Sequence, residues 1–102
     1  MSRRLEMLEK LAAAPTSDPF ALYALALEYR KEGRTDDALR TFERLRSLHP
    51  DYVPAYLMAG QLLGDAGREA EARQWLARGV EVATARGDTH ARSELLAALG
   101  ED

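Results

Sequence analysis

Apolar residues recur at helical spacing along most of the chain, and this pattern predicts six short helices joined by tight turns. The first predicted helix covers residues 2–13, with its apolar face at Leu5, Leu8, Leu11 and Ala12 and a stop at Pro15. The other five are predicted, in order, over Phe20–Glu32, from Thr35 to before Pro50, from Asp51 to before Gly67, over about Glu69–Arg86, and from Asp88 to before Gly100. No alternating strand pattern interrupts them, so the sequence predicts an all-α fold.

Polar residues at the predicted helix starts have the chemistry of N-caps. Asp18 precedes Pro19, and a proline is favoured at the first helical position because its missing N–H has no partner there anyway. Further N-caps are expected at Thr35, Asp51 and Asp88.

The chain repeats itself with a period of 34 residues. A shift by this period pairs residues of the same size class and turn chemistry. The pairs are Leu22 with Tyr56, Leu25 with Ala59, Ala26 with Gly60, Tyr29 with Leu63, Ala38 with Ala72, Phe42 with Leu76, and Gly33-Arg34 with Gly67-Arg68. The backward shift lays the first helix on the third, with Leu5, Leu8 and Leu11 on Leu39, Phe42 and Leu45. The first helix is therefore predicted to be the second half of a preceding unit.

The period and spacing resemble the tetratricopeptide repeat, whose pattern is W-x2-L-G-x2-Y, A-x3-F and P. The matching positions are Leu22, Leu25, Ala26, Tyr29, Ala38, Phe42 and Pro50 in the first repeat, and Tyr56, Ala59, Gly60, Leu63, Ala72 and Leu76 in the second, where Thr84 replaces the closing proline. The chain looks like a small stand-alone bacterial member. The resemblance implies a right-handed helical-hairpin solenoid of about six antiparallel helices in a single domain. Its predicted parts are an N-terminal half-repeat helix (1–15), repeat 1 (19–52), repeat 2 (53–86) and a closing helix (87–102).

The resemblance also implies a binding surface. In tetratricopeptide domains the first helix of each hairpin lines a concave groove that commonly binds an extended or helical segment of a partner. The corresponding residues are Phe20, Tyr23, Leu27, Arg30 and Lys31 in repeat 1, and Pro54, Leu57, Met58, Gln61, Gly64 and Asp65 in repeat 2. Because these residues lie off the packing stripe, Tyr23, Leu27 and Leu57 are expected to face outward. The alternative is that Phe20, Leu27 and Leu57 pack against neighbouring helices.

The groove residues also indicate the type of ligand. Members of the family that hold a C-terminal carboxylate use Lys and Asn where this chain has Tyr23, Leu27 and Met58. A partner segment with an apolar anchor, flanked by acids that meet Arg30 and Lys31, suits this sequence better.

Composition and charge narrow the function classes. The absence of cysteine excludes a disulfide framework and a thiolate metal site and favours a cytoplasmic location. A net charge of -3 argues against non-specific nucleic-acid binding. The apolar stretches are short and the N-terminal segment carries acids, so neither membrane insertion nor export by a signal peptide is expected.

No constellation for catalysis is evident. His49 and His90 lack metal-ligand spacing, and Ser2, Ser17, Ser47 and Ser93 have no base or glycine elbow beside them. We therefore expect no enzymatic activity, no metal and no cofactor.

Two functions remain open. The first is an adaptor that binds a peptide segment of another protein. The second is a structural module that self-associates through the groove or through a face around Trp75 and Val82. Packing beside Leu76, against the closing helix, is the other prediction for Trp75.

Overall fold

The computed structural model describes residues 2–13 and 18–101, and Pro15 and Ser17 lie outside these ranges. The described residues form six α-helices, which are α1 (Arg3–Ala12), α2 (Pro19–Lys31), α3 (Thr35–Leu48), α4 (Pro54–Asp65), α5 (Glu69–Arg86) and α6 (Thr89–Leu99). No strand occurs in this part of the chain. The predicted all-α hairpin fold is confirmed.

Four helices end in the same backbone motif. Gly33, Gly67, Gly87 and Gly100 follow α2, α4, α5 and α6 with φ of 75°, 77°, 71° and 81°. This left-handed conformation is strained for residues with a Cβ, which explains the glycines. In the turn after α2, Arg34 N–H donates to the Tyr29 carbonyl at 2.9 Å. In the turn after α4, one period later, Arg68 N–H donates to the Leu63 carbonyl at 2.8 Å. The 34-residue period is therefore also present in the hydrogen bonds of the backbone.

The N-cap predictions for α2 and α6 are confirmed. The Asp18 carboxylate accepts a hydrogen bond from Phe20 N–H at 2.9 Å, and the Asp88 carboxylate accepts one from Ala91 N–H at 3.0 Å. Ser2 caps α1 in the same way, accepting from Leu5 N–H at 3.0 Å. These side chains satisfy N–H groups that have no partner inside the helix.

The cap predictions for α3 and α4 are wrong. Thr35 is already the first residue of α3, because the turn at Gly33 leads directly from α2 into the next helix and leaves Arg34 at the cap position. Asp51 stands too far before α4, whose cap position is Val53. The Asp51 carboxylate instead accepts a hydrogen bond from Arg86 at 2.8 Å.

The described residues fall into two compact units, one ending at His49 and the other starting at Pro50. In the first unit α2 packs against both α1 and α3. Its core contains Leu5, Leu8, Ala12, Leu22, Leu25, Ala26, Ala38, Phe42 and Leu45. Leu11 and Leu48, which continue the apolar pattern of α1 and α3, are 54% and 52% exposed and are not core residues. Helix α2 packs on the side of α1 that carries Leu5, Leu8 and Ala12, and Leu11 lies outside this side.

Polar contacts join α1 to α2 within the first unit. Arg4 Nε donates to the Glu28 carboxylate at 3.0 Å, and the Tyr29 hydroxyl donates to Glu9. Glu28 is a buried residue, so the guanidinium compensates the loss of water around its carboxylate.

In the second unit α5 packs against α4 and α6, and α6 also contacts α4. Glycine makes two of these contacts close. A Cβ added at Gly60 on α4 would lie 2.5 Å from Leu76 Cδ2 on α5, and one added at Gly79 on α5 would lie 2.6 Å from Tyr56 Cβ and 2.9 Å from Leu95 Cδ2. Helices α4, α5 and α6 therefore pack closely because Gly60 and Gly79 have no side chain.

Candidate functional site

The outward face of α2 carries the predicted groove residues of the first unit. Phe20 is 67% exposed in the first turn of the helix. Tyr23, Leu27 and Arg30 are half-buried, and Lys31 is exposed. One helix therefore presents an aromatic ring near its start and basic groups near its end.

The Tyr23 side chain is less exposed than the sequence predicts. Its ring lies edge-on to the fully buried ring of Phe42, with centroids 6.5 Å apart and planes at 62°. Part of the residue stays accessible to solvent. Tyr23 thus stabilises the core of the first unit while it adds apolar surface beside Phe20.

The corresponding face of α4 belongs to the second unit. Pro54, Gln61, Gly64 and Asp65 are exposed, and Leu57 and Met58 are half-buried. A Cβ added at Gly64 would meet nothing within 4 Å, so no packing inside the chain requires this glycine. The face is a shallow apolar strip that ends in polar residues.

The repeat positions are buried with one exception. The structure buries Leu22, Leu25, Ala26, Tyr29, Ala38, Phe42, Tyr56, Ala59, Gly60, Leu63, Ala72 and Leu76. Pro50 is exposed, but its carbonyl accepts a hydrogen bond from the buried Tyr56 hydroxyl. Small residues therefore lie inside the hairpins, and the predicted groove residues lie at or near their surface.

An arginine–acid pair begins the second helix of each hairpin. Arg34 Nε donates to Asp37 at 2.8 Å, and Arg68 Nε donates to Glu71 at the same distance, 34 residues later. Hydrogen bonds from Arg40 and Arg34 hold the pKa of Asp37 below its ordinary value, and the bond from Arg68 does the same for Glu71. Sequence reasoning missed these pairs, although the 34-residue shift places Asp37 on Glu71.

Burial and neighbouring charged groups affect the ionisation of Tyr29. Burial, followed by its hydrogen bond to Glu9, raises the pKa of Tyr29 from 10.0 to about 12. The guanidinium of Arg34 lies over the ring, 4.7 Å from its centroid. These contacts keep the phenol protonated and tie it to α1, so they serve the packing of the first unit.

Trp75 lies inside the second unit. It is only 6% exposed, and its ring packs against Tyr56 with centroids 5.9 Å apart. The packing prediction is supported, although the ring contact is with α4. The idea of an exposed face around Trp75 and Val82 is wrong, because the tryptophan has almost no accessible surface to offer.

The remaining candidates in the described part of the chain include two histidines. His90 Nε2 lies 3.3 Å from Glu94 on the exposed side of α6, and His49 ends α3 with its N–H bonded to the Leu45 carbonyl. Within residues 2–13 and 18–101, no three His, Asp or Glu side chains are grouped so that they could hold a metal ion. No helix in these ranges is both long and apolar enough to cross a bilayer.

Comparisons with known proteins agree with the geometry. The sequence profile of the tetratricopeptide repeat family matches residues 29–99. The crystal structure of a tetratricopeptide repeat domain protein from Salinibacter ruber has 41% identity and a TM-score of 0.73 over 79% of this chain and 91% of that one. A solution structure of a tetratricopeptide repeat domain protein from the same organism has 39% identity and a TM-score of 0.76 over 83% of this chain and 86% of that one.

A protein from Bordetella parapertussis, also solved in solution, is 29% identical with a TM-score of 0.79, covering 95% of this chain and 84% of its own. No curated protein sequence matches the chain significantly. The family profile spans well over half of the sequence, and the repeat period found in the residues recurs in the turns and the arginine–acid pairs. The chain therefore belongs to the tetratricopeptide repeat family.

Proposed function

We propose that this chain is a non-enzymatic cytoplasmic adaptor that binds a peptide segment of a partner protein through the outward faces of α2 and α4. Tetratricopeptide repeat domains generally mediate protein–protein interactions. The observation that carries the proposal is Phe20, a large aromatic side chain left 67% exposed at the start of α2. Exposed aromatic residues are enriched at protein interfaces, where their burial supplies much of the binding free energy.

The chemistry of the ligand follows from the order of groups along α2. Phe20, Tyr23 and Leu27 form an apolar strip, and Arg30 and Lys31 follow it in the last turn. At 1.5 Å per residue, Phe20 and Lys31 are about 16 Å apart along the helix axis. A segment with an apolar side chain at one end and acidic residues about this far along matches both halves of the strip. Leu57 and Met58 form a separate apolar patch on α4, in the second unit.

The test uses capture of partners with matched variants. Phe20→Glu should leave the circular dichroism spectrum and the melting temperature nearly unchanged, because exposed substitutions usually cost less than about 0.5 kcal/mol. It should abolish capture of the partner, since a carboxylate cannot be desolvated against an apolar anchor. Leu48→Glu is the control, because Leu48 is a similarly exposed apolar residue, at 52%, that lies on α3 and not on α2.

Three further measurements make the test specific. Peptides tiled from a protein captured by wild type and by Leu48→Glu, but not by Phe20→Glu, should bind the face of α2 only where acids follow an apolar residue. Leu57→Glu tests the face of α4 by itself and should weaken capture of those segments that bind the second unit. Equal capture by all variants would refute the role of these faces. Sedimentation of the purified chain separates the other candidate: an oligomer that Phe20→Glu converts to a monomer would identify a second copy as the partner.

A further inference from the structure

The outward residues of α4 lie on one side of the helix along its whole length. They are Pro54, Leu57, Met58, Gln61, Gly64 and Asp65, and we call them the α4 strip. At about 100° per residue these positions fall within an arc of about 120°, and the buried residues of α4 occupy the rest of the circumference. Helices α5 and α6 pack on α4, and its contacts with α5 through Tyr56 and Gly60 lie on the buried side. The strip therefore takes no part in these contacts.

The charge of α4 is concentrated at its C-terminal end. Asp65 is the one charged residue among the 12 residues of this helix. It lies where the last carbonyl groups of a helix already carry partial negative charge. A basic residue stands in the last turn of α1, α2, α3 and α5, and the Leu99 carbonyl at the end of α6 accepts a hydrogen bond from Arg73 at 3.1 Å. The last turn of α4 contains no base, so its end is negative.

The residues that follow α4 do not reverse this charge. Arg68 comes three residues after the helix, and its Nε and Nη2 both donate to Glu71 at 2.8 Å. Residues 54–71 carry three acids and one base. The equivalent end of α2, 34 residues earlier, carries Arg30 and Lys31. The outward faces of α2 and α4 therefore end in opposite charges.

Gly64 leaves the backbone of α4 open beside this negative end. Glycine is unfavourable inside a helix, and at this position no packing inside the chain requires it, because an added Cβ would meet nothing within 4 Å. Gly64 lies between Leu57 and Asp65 on the strip. A position without a side chain allows the backbone of a ligand to approach closely. An extended segment can therefore lie against the helix between the apolar patch and the acid.

We propose that the α4 strip binds an extended basic segment of a partner protein, with an apolar side chain on Leu57 and Met58 and a lysine or arginine at Asp65. The inference rests on the proposed function and names the ligand of the α4 face. Leu57 and Asp65 are about 12 Å apart along the helix axis, which an extended segment spans in about four residues. The helix end favours a cation there and disfavours a carboxylate.

The probe is a synthetic ten-residue peptide of serine and threonine with two leucines followed, four residues later, by two lysines. The same peptide in the opposite order is also used, because the strip fixes the spacing and not the direction. The control peptides carry glutamate at the lysine positions. In titrations of the full chain followed by methyl NMR, a lysine peptide should shift the signals of Leu57 and Met58, and its Kd should rise with salt. The glutamate peptides should bind at least about tenfold more weakly.

Three variants assign the binding to the strip. Asp65→Lys should keep its melting temperature, because a base is favoured at a helix C-terminus, and should bind the glutamate peptide better than the lysine peptide. Glu81→Lys is the matched control, since it makes the same charge change on α5 at a side chain that is 71% exposed, and it should bind as wild type does. Gly64→Gln should stay folded and weaken the lysine peptide, because its side chain covers the open backbone.

The outcomes separate this inference from the proposed function. If lysine and glutamate peptides shift Leu57 and Met58 equally, the strip binds peptides without selecting charge, which overturns the inference and leaves the proposed function intact. If neither peptide shifts these signals while Phe20→Glu still abolishes capture, the inference fails and α2 alone carries the proposed function. Signals that shift with protein concentration alone would identify a second copy as the occupant and also overturn it. If Phe20→Glu and Leu57→Glu both capture partners as wild type does, the proposed function fails and this inference with it.

Discussion

Three glycines of the second unit have different surroundings, and replacing each with alanine tests the packing directly. In a helix interior, glycine to alanine gains about 1 kcal/mol from backbone propensity. Overpacking a filled site costs about 1–3 kcal/mol. The sign of the net effect therefore depends on what the new methyl group meets.

The structure ranks the three sites. At Gly64 a Cβ meets nothing within 4 Å, so Gly64→Ala should stabilise the chain by about 1 kcal/mol. At Gly60 it would lie 2.5 Å from the end of the Leu76 side chain, which can rotate away, so gain and cost nearly cancel. At Gly79 it would lie 2.6 Å from Tyr56 Cβ, which moves only with the backbone of α4. Gly79→Ala should therefore reach the upper end of the overpacking cost, a net loss of about 2 kcal/mol.

Urea unfolding followed by the fluorescence of Trp75 is the appropriate assay, because this is the single tryptophan and it is buried in the same unit as the three glycines. A change of 1 kcal/mol moves the melting temperature of a domain this size by about 4–8 °C, so thermal scans should give the same order. If Gly79→Ala proves as stable as Gly64→Ala, helices α4, α5 and α6 do not meet as closely as described, and the reasoning fails.

Two further predictions concern Tyr29 on α2 and Leu95 on α6. Stability should fall as the pH rises from 10 towards 12, because an unfolded tyrosine loses its proton near 10 whereas Tyr29, with its pKa raised to about 12, keeps it until higher pH. This decrease should be smaller in Tyr29→Phe, measured by urea unfolding at pH 9 and pH 11; equal slopes in both proteins would contradict the environment of Tyr29. Leu95→Ala should cost about 2–4 kcal/mol, because Leu95 is 1% exposed and lies against Gly79. Leu48→Ala, at 52% exposure, should cost less than about 0.5 kcal/mol, and similar losses for both would mean that α6 is not part of the core.

Local chemistry made much of the fold predictable. Asp18 and Asp88 act as caps because their side chains reach N–H groups two or three residues ahead, which depends only on neighbouring sequence. The glycine after each hairpin turn is equally local. Thr35 and Asp51 have suitable side chains as well, but the turn at Gly33 fixes the start of α3 one residue earlier, and Asp51 pairs with Arg86, 35 residues away. A contact between residues this far apart in the sequence cannot be predicted from the local pattern of capping residues.

Predictions of exposure were less accurate than predictions of helices. Periodicity assigns Leu11 and Leu45 to the same face of equivalent helices, yet one is 54% exposed and the other fully buried. Helix α2 precedes α3 and packs on it, whereas the side of α1 that packs on α2 carries Leu5, Leu8 and Ala12 and not Leu11. Trp75 shows the reverse case, a residue beside the predicted stripe that is buried because Gly79, one turn later, allows α4 to approach. The groove residues remain a prediction from the resemblance, and Phe20 is the member of the set with the most exposed surface.

The identical turns at Gly33 and Gly67 bear on how the length of this chain can change. Residue 34 leaves the first turn with the backbone hydrogen bond that residue 68 has on leaving the second. A duplicated copy of residues 34–67 would therefore join its neighbours through a turn that already exists, with glycine at the left-handed position and arginine after it. Insertions or deletions of whole 34-residue units at this point keep glycine at the left-handed position and the arginine–acid pair after it. Genetic lengthening or shortening of the chain is thus favoured in whole hairpins.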